Sequence, residues 1–540
     1  MEPPSEARTA LESRHNISSV HAKTSPVNPD NIVEKVEQGQ SQADNSNVLL
    51  PSDPNLIAFQ HNDPGNPFNW SLRRRWLLTV LVSCYTFISP VSSSMVAPAL
   101  SYIRDDFKIT NSITEQMVLS IFVLSFGIGP LILGPLSEVY GRVYVLQLGN
   151  LLYLLFNIAC GLSQTTTQLI VFRFLSGLGG GASLAIGGGV LSDCFTTEQR
   201  GRAVAVYNLA PLLGPSLGPI AGAWLTQYRS WRWTFWISSI ADGAILIVGL
   251  LFLRETYAPI ILARRVKAEM KLTGNPDLHT PYSDYGRKSV WKTVGSALVR
   301  PLRMLTTQPI VFFLSLFYAY IYGLMYLVLS TFPVLWHTVY NEPTSIAGLN
   351  YISLGLGYFV GSQICAISID RIYTYLRATK GRFHRQPSGN QVEQNNTAEE
   401  LPTGVPEYRI PLMVPASLFI PAGLLIYGLT AAAHKHWILP NLGTFLFSLG
   451  VIVNFQCIQN YLIDAYSLYA ASATGAATFL RAIAGFGLPL LGPKLYASLG
   501  YGGGNGLLAG IAVGLGGAAP WVLWRYGAWL RGRSRFAVEK

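Results

Sequence analysis

The stretch GPLSEVYGRVYVL, residues 134–146, joins two long apolar segments and decides how this sequence folds. It places an acid, Glu138, four residues after Gly134, and then the pair Gly141 and Arg142. The two glycines let backbones approach closely or take a positive φ. Glu138 can lie at the positive end of a neighbouring helix, and Arg142 can pair with an acid from a third helix. The pattern indicates a tight turn between two membrane-spanning helices.

The same spacing returns in the second half of the chain. AISIDRIY, residues 366–373, has a small residue followed four positions later by an acid, Asp370. Further along, LSDCF, with Asp193, has a counterpart in LIDAY, with Asp464. The step between the two acids is 39 residues longer in the second half, which is the length of the hydrophilic segment 371–409. Two parallel repeats explain this agreement.

Twelve apolar runs are long enough to cross a hydrocarbon core of about 30 Å, which takes about 20 helical residues. The predicted spans, six in each half, are 76–97, 115–136, 143–162, 168–191, 202–225, 233–253, 309–331, 347–369, 410–431, 438–461, 471–493 and 504–524. The fold is therefore predicted to be an all-α polytopic membrane protein, with twelve transmembrane helices in two six-helix bundles.

Hydrophilic segments set the domain limits. Residues 1–66 are polar with few aromatics, so they are predicted to form a disordered tail. The N-terminal bundle then covers 67–253 and the C-terminal bundle 309–530. Between them, 254–308 is a linker rich in Lys and Arg, and 531–540 is a second tail.

Composition and charge fit a lipid environment. The chain is 50% hydrophobic and 12% charged, whereas a soluble protein has about 25% charged residues. Its net charge of +11 does not indicate nucleic acid as a partner, because the basic residues lie in short loops rather than in one patch. With a cytoplasmic N-terminus, 27 Lys and Arg flank the inner helix ends and six lie in outer loops. The positive-inside rule then places both termini in the cytoplasm.

The motifs resemble those of the major facilitator superfamily. The segment 134–146 is similar to its motif A. LIVFRFLSGLGGG, residues 169–181, resembles motif B, with Arg173 as the arginine inside the membrane. LLGPSLGPIAG, residues 212–222, resembles motif C, the fifth-helix signature of the drug:proton antiporters. WRWTFW and LRETYAPIIL beside the sixth span, and QNYLIDAYSLYAASATGAATFLR in the second half, resemble fungal twelve-helix drug antiporters.

We predict an inner gate built from small and charged residues of both repeats: Gly134, Glu138, Gly141, Arg142, Asp193, Asp370 and Asp464. Val139 and Val143 stand where motif A commonly has basic residues, so the charges of this loop are those of Glu138 and Arg142. In the gate, Arg142 is expected to pair with Asp193. Glu138 is expected near Ser472–Gly475 at the start of the eleventh helix. By the repeat, Asp370 is expected near the start of the fifth.

The fifth span carries a packing motif whose residues are Gly214, Pro215, Gly218, Pro219 and Gly222. The glycines recur every four residues and share one helix face, while the prolines interrupt the hydrogen-bond ladder. Small residues on one face favour a close contact along which helices can rock. The expected partner is the glycine pair of the eighth span, Gly357 and Gly361.

Three charged residues within the spans are candidates for transport and proton coupling. Arg173 near the middle of the fourth span and Arg481 in the eleventh are the basic residues inside the predicted spans, away from their ends, and Asp242 lies midway along the sixth. Such charges are costly in a bilayer and usually face a cavity or a partner. The alternatives are an arginine satisfied by backbone carbonyls and, for Asp242, a local hydrogen-bonding role. The peripheral place of the sixth helix, implied by the resemblance, favours the local role.

A stripe of tyrosines, Tyr318, Tyr322 and Tyr326, runs about 12 Å along the seventh span. Interfacial tyrosines cluster at helix ends, so this stripe favours the wall of a substrate cavity. There the rings can stack on an aromatic or cationic substrate; ordinary packing is the alternative. Asn454 and Gln456 of the tenth span are further polar candidates.

The sequence has no catalytic constellation, nucleotide-binding loop or metal-ligand spacing. An enzyme, a cofactor and a metal are therefore not expected. The residues and the resemblance predict a secondary transporter that exports small apolar organic compounds, such as drugs, toxins or secondary metabolites, in exchange for protons. The alternatives are a proton-coupled importer or uniporter of a metabolite such as a polyamine or organic acid, and a non-transporting nutrient sensor. The expected setting is the plasma membrane, with the protein functioning as a monomer.

Overall fold

The computed structural model describes residues 54–60, 62–282, 290–379, 405–466 and 469–534. In these ranges, eleven helical segments are long and apolar enough to cross a membrane. The long helices are α1 (Leu72–Met95), α2 (Ser112–Tyr140), α3 (Arg142–Leu162), α4 (Thr166–Cys194), α5 (Thr197–Tyr228), α6 (Arg232–Phe252), α7 (Pro309–Thr338), α8 (Tyr351–Ala378), α9 (Met413–Ala432), α10 (Ile438–Ala465) and α11 (Ala470–Gly532).

The last helix, α11, contains the eleventh and twelfth predicted spans. It is interrupted at Gly500, where φ is 64° and ψ is 177°. Arg481 of this helix contacts Tyr318 of α7. Leu508, later in the same helix as Arg481, accepts a hydrogen bond at its carbonyl from Tyr320, which is only two residues from Tyr318 on α7. On one straight helix, residues 481 and 508 would lie about 40 Å apart. The chain therefore folds back at Gly500 and crosses twice, which gives the twelve predicted crossings.

The helices form two bundles with the same internal contacts. In the first, α1 packs on α5, α2 on α4, and α3 on α6. In the second, α7 and α9 both pack on α11, and α8 packs on α10. The bundles meet where α2 contacts α11 and where α5 contacts α8. This is the arrangement that a parallel repeat of six helices predicts.

The predicted turn over residues 134–146 is very short. Helix α2 ends at Tyr140 and α3 begins at Arg142, so Gly141 alone connects them. Its φ of 104° and ψ of 149° lie in a region that residues with a Cβ rarely adopt. A single glycine is therefore enough to reverse the chain between two crossings.

The described residues of the linker lie against the described residues just before α1. The linker contains two helices, Ala258–Thr273 and Val290–Thr307. Residues 54–60 lie against it, because the amide of Ile57 donates to the carbonyl of His279, at 2.9 Å. The sequence places this stretch in a disordered tail, so the ordered part of the chain begins earlier than predicted. The rest of that tail, the segment 380–404 and residues 535–540 lie outside the described residues.

Candidate functional site

The tyrosine stripe of α7 surrounds an arginine of α11. Nη1 of Arg481 donates a hydrogen bond to the hydroxyl of Tyr318, at 2.7 Å. Its guanidinium carbon lies 4.8 Å from the ring centre of Tyr322 and 5.2 Å from that of Tyr318. Tyr322 in turn packs on Tyr326, with ring centres 5.1 Å apart. Four side chains that the sequence placed in two separate groups therefore form one cluster.

This cluster lies at the boundary between the bundles. The hydroxyl of Tyr326 is 3.4 Å from that of Ser93 on α1. Beside Arg481, the next residue of α11, Ala482, packs against Gly127 of α2. Residues of both bundles thus meet at the point where a charge and several hydroxyls come together, as expected for a site that the two bundles share.

Of the two polar candidates on α10, neither joins the cluster. Asn454 donates to the carbonyl of Gly450 and accepts from Ser417 of α9. Gln456 donates to Ser362 of α8. Phe455, between them in sequence, points to the tyrosines instead, with its ring centre 4.6 Å from that of Tyr318. Successive helical residues point in directions about 100° apart. The prediction chose Asn454 and Gln456 because they are polar, but the residue between them is the one that contacts the tyrosines.

Arg173 is fully buried among backbone carbonyls. It lies close to the start of α4 rather than near the middle of the span, as the sequence suggested. Its guanidinium donates to the carbonyls of Val118 (3.1 Å), Ser92, Ser93 and Leu119 (3.4 Å each). It also lies 4.7 Å from the ring centre of Phe122. Arg173 thus connects α1 and α2 to α4, which is the alternative considered from the sequence.

Asp242 is also fully buried, within the first bundle. Both its carboxylate oxygens accept from the side-chain amide of Asn150 on α3, at 3.0 and 3.1 Å. It joins α6 to α3, away from the tyrosine cluster, and this geometry agrees with a local hydrogen-bonding role. Its burial also makes it a carboxylate whose charge the bilayer would penalise.

The ion pair expected between Arg142 and Asp193 is present. Nε of Arg142 lies 2.5 Å from the carboxylate of Asp193. Both residues belong to the first bundle, so this contact holds α3 against α4 within one bundle and does not by itself close a gate between the two. Of the other gate residues, Gly134 lies within α2, nearly two turns before its end, and Gly141 forms the turn that follows α2.

Three consecutive residues after α6 support this pair. Glu255 accepts from the backbone amides of Arg142 and Val143, at the positive N-terminus of α3. The hydroxyl of the next residue, Thr256, donates to Asp193, at 3.1 Å. The ring of Tyr257 lies 4.8 Å from the guanidinium of Arg142. These residues belong to LRETYAPIIL, a segment that resembles fungal drug antiporters. The sequence alone predicted no contact for them.

The second bundle has an equivalent pair, built with an arginine that the sequence did not select. Arg409, just before α9, donates to Asp464 at 2.8 Å and to Asp370 at 2.6 Å. Burial lowers the pKa of Arg409, but its hydrogen bonds to the two carboxylates outweigh this and raise it. Asp370 thus contacts Arg409 rather than the start of α5, where the sequence placed it. The long segment before Arg409 hides its correspondence with Arg142.

The contact between α2 and α11 directs Glu138 toward the start of α11. The helices run antiparallel, since Gly127 faces Ala482 and Leu131 faces Gly475. Extending this register by two turns brings the exposed Glu138 toward the first turn of α11. That agrees in direction with the predicted place of Glu138, beside Ser472–Gly475.

The glycine ridge of α5 packs on α1, so its predicted partner on α8 is wrong. A Cβ at Gly214 would lie 3.0 Å from the carbonyl carbon of Pro90, and one at Gly218 would lie 2.6 Å from the carbonyl oxygen of Val91. Gly222 faces Met95 in the same way. The pair Gly357 and Gly361 instead packs on α10. Pro215 and Pro219 lie within α5.

No group of three His, Cys, Asp or Glu side chains in the described ranges is arranged to hold a metal ion. Among the described residues, the fully buried carboxylates are Asp242 and Glu407. Glu407, just before α9, pairs with Arg531 of α11.

The family model for the Major Facilitator Superfamily matches residues 82–489. The chain belongs to this superfamily. It is similar to the efflux pump vrtL of Penicillium aethiopicum, 44% identical over 90% of this chain and 92% of that protein. It is 41% identical to an uncharacterized transporter of Schizosaccharomyces pombe, over 93% and 98% of the two chains. This facilitator is thus a multi-pass membrane transporter and not an enzyme, as the sequence predicted.

A solved structure agrees with the fold. The xylose transporter XylE from E. coli, in a partially occluded inward-open conformation, aligns with a TM-score of 0.58 over 83% of this facilitator and 98% of XylE. At 14% identity, this likeness shows the shared architecture of two six-helix bundles alone.

Proposed function

We propose that this facilitator exports small, mostly apolar organic compounds, such as toxins or secondary metabolites, in exchange for protons. The observation that carries the proposal is the cluster of Arg481, Tyr318, Tyr322 and Tyr326 facing Ser93 at the bundle boundary. Aromatic walls with a few convergent polar groups are typical of small-molecule sites. The direction of transport is supported by the relative named an efflux pump and by the resemblance of the α5 segment to motif C.

Rocking of the two bundles would expose this cluster to each side of the membrane in turn. The ion pairs of Arg142 with Asp193 and of Arg409 with Asp464 would keep each bundle rigid during the motion, because each pair joins helices of one bundle. The contacts that must open and close are then those of α2 with α11 and of α5 with α8.

Protons are the proposed coupling ion. Asp242 is the first group to test as their carrier, because its fully buried carboxylate lies within a membrane span. Replacing it with asparagine keeps its shape and removes its titration. If Asp242 carries the proton, Asp242→Asn would uncouple flux from a pH gradient. If its role is local, the variant would keep coupled transport.

The proposed setting is the plasma membrane, with both termini in the cytoplasm and a monomer as the functional unit. The loop charges support this orientation through the positive-inside rule. Epitope tags at the two termini, probed in intact and permeabilised cells, test it. Antibody access to either tag in intact cells would contradict the orientation.

The decisive experiment measures flux of a compound panel in proteoliposomes under an imposed pH gradient. Exchange for protons predicts that substrate moves in the direction opposite to the flow of protons. A protonophore, which removes the pH gradient, should stop this movement. Flux that ignores the gradient would favour the uniporter. Tight binding without flux for any compound would favour the sensor.

A further inference from the structure

Among the residues that the structure describes, Arg481 has no counter-charge. It is half-buried, and its one hydrogen bond to a protein side chain in the described residues goes to Tyr318. No carboxylate in the described parts of the chain lies within ion-pair distance of it. Arg173, which is fully buried, is surrounded by four backbone carbonyls instead. Arg481 thus differs from Arg173, because most of its N–H donors have no acceptor among the described residues.

An unpaired charge at this depth is costly, so the site favours a ligand that brings the missing anion. A guanidinium carries five N–H donors in one plane. Tyr318 takes one of them, and a carboxylate can accept two more in parallel. The next residue of α11, Ala482, packs on Gly127 of the other bundle, so a ligand of Arg481 would enter where the bundles separate.

The walls around Arg481 suit a flat, apolar body. Phe455 packs edge-on against Tyr318, with ring centres 4.6 Å apart, and lies 5.9 Å from Tyr322. Rings arranged in this way offer both faces and edges to an aromatic ligand. The anion and the aromatic body would therefore be held side by side.

The same geometry disfavours a cation. Tyrosine faces attract cations, and from the sequence alone the stripe could serve a cationic substrate. In the structure, however, the guanidinium of Arg481 already lies over Tyr318 and Tyr322. A polyamine entering here would meet a like charge a few ångströms away, which is repulsive in a medium of low dielectric constant.

We infer that Arg481 binds an anionic group of the transported molecule, so that the substrates are small aromatic acids carrying a carboxylate or a similar planar oxyanion. This inference rests on the proposed function and names the substrate class of the same site. Tyr318 positions the guanidinium through its hydroxyl, and Tyr322, Tyr326 and Phe455 hold the ring system.

The test compares two fluorescent probes of one shape, 9-anthracenecarboxylate and 9-anthracenecarboxamide, on the purified full-length protein in nanodiscs. Fluorescence anisotropy gives a Kd for each. The wild type should bind the carboxylate at least about tenfold more tightly than the carboxamide, as expected for hydrogen bonds to a charged group. Equal affinities, or no binding of the carboxylate, overturn the inference without any variant being needed.

Variants then assign the preference to this residue. Arg481→Gln should reduce it to less than about twofold, and Arg481→Lys should keep part of it, because lysine retains the charge without the planar fork. Arg525→Gln is the matched control, since it removes an exposed arginine of the same helix, α11. An unchanged preference in Arg481→Gln overturns the assignment.

Transport separates this inference from the proposed function. Proton-driven export of the carboxamide as readily as the carboxylate would support the proposed export function and contradict the preference for acids. A clear acid preference in binding, with no proton-driven movement of either probe, would support the site and contradict the exporter.

Discussion

Arg142, the first residue of α3, and Asp193, one residue before the end of α4, form an ion pair in which both side chains are largely shielded, with 14% and 16% of their surface exposed. The turn at Gly141 brings α3 to this place, and Glu255, Thr256 and α4 close around the pair. Charges that are shielded in this way depend on each other, because removing one leaves the other without a partner.

We expect a double-mutant cycle to detect that dependence. Arg142→Ala should lower the thermal stability of the purified protein and its transport rate. Arg142→Ala/Asp193→Ala should lose less than the sum of the two single changes, with a coupling energy of about 1–3 kcal/mol. The exposed Arg202, changed to alanine together with Asp193→Ala, is the control and should give additive losses. Additivity in the Arg142 cycle would contradict the pairing.

Close contact of α5 with α1 should be sensitive to a single methyl group. Gly218→Ala would place a Cβ 2.6 Å from the carbonyl oxygen of Val91, so the two helices must separate. We expect a loss of about 1–3 kcal/mol in stability, as in other overpacked sites, together with slower transport. Gly201→Ala, on the same helix with no neighbour within 4 Å of its Cβ position, should be neutral or slightly stabilising. Equal melting temperatures for both variants would show that the ridge is not a tight contact.

Arg173 should affect stability and transport together. Arg173→Ala removes the donor that Arg173 supplies to each of four carbonyls of α1 and α2, and we expect both the melting temperature and the transport rate to fall. Arg173→Lys should retain part of both, because lysine keeps the charge but has fewer donors. Thermal unfolding and proteoliposome flux measure the two effects. Loss of proton coupling at unchanged stability would favour a direct coupling role, and full activity of Arg173→Ala would exclude both roles.

The described segment around Asp63, before α1, should stay docked on the linker over a wide pH range. Asp63 pairs with Arg265 of the first linker helix, and this hydrogen bond lowers the pKa of Asp63 from 3.8 to about 2. Because the pKa is lowered, the pair stabilises the docked segment fully at any pH above the ordinary pKa of 3.8. This stabilisation is lost only as the pH falls through about 2.

Asp63→Asn keeps the acceptor for the amide of Gly65 and removes the charge. Hydrogen exchange of residues 54–66 should therefore be faster in Asp63→Asn than in the wild type, by the same factor at pH 8 and pH 5 after correction for intrinsic rates. The exposed Asp277→Asn should change nothing. A difference that shrinks between pH 8 and pH 5 would contradict the lowered pKa.

The sequence by itself determined the class of fold and the number of crossings. Apolar runs of about 20 residues leave few choices in a bilayer, because each must satisfy its backbone groups within one helix. The repeat of small residue and acid around Glu138 and Asp370 also determined that the halves are related. The contact of Arg142 with Asp193 could also be predicted, because short turns bring these helix ends together.

Only the tertiary structure decided which side chains share a site. Phe455 rather than Asn454 or Gln456 faces the tyrosines, because the rotation of α10 is set by packing against α7, α8 and α9 together. Arg409 replaces the expected partner of Asp370, because a long insertion separates them in sequence while the helix ends meet in space. Arg481 belongs to the candidate site because it donates a hydrogen bond to Tyr318 on another helix. Such contacts depend on distances between helices, which apolar periodicity along one helix does not contain.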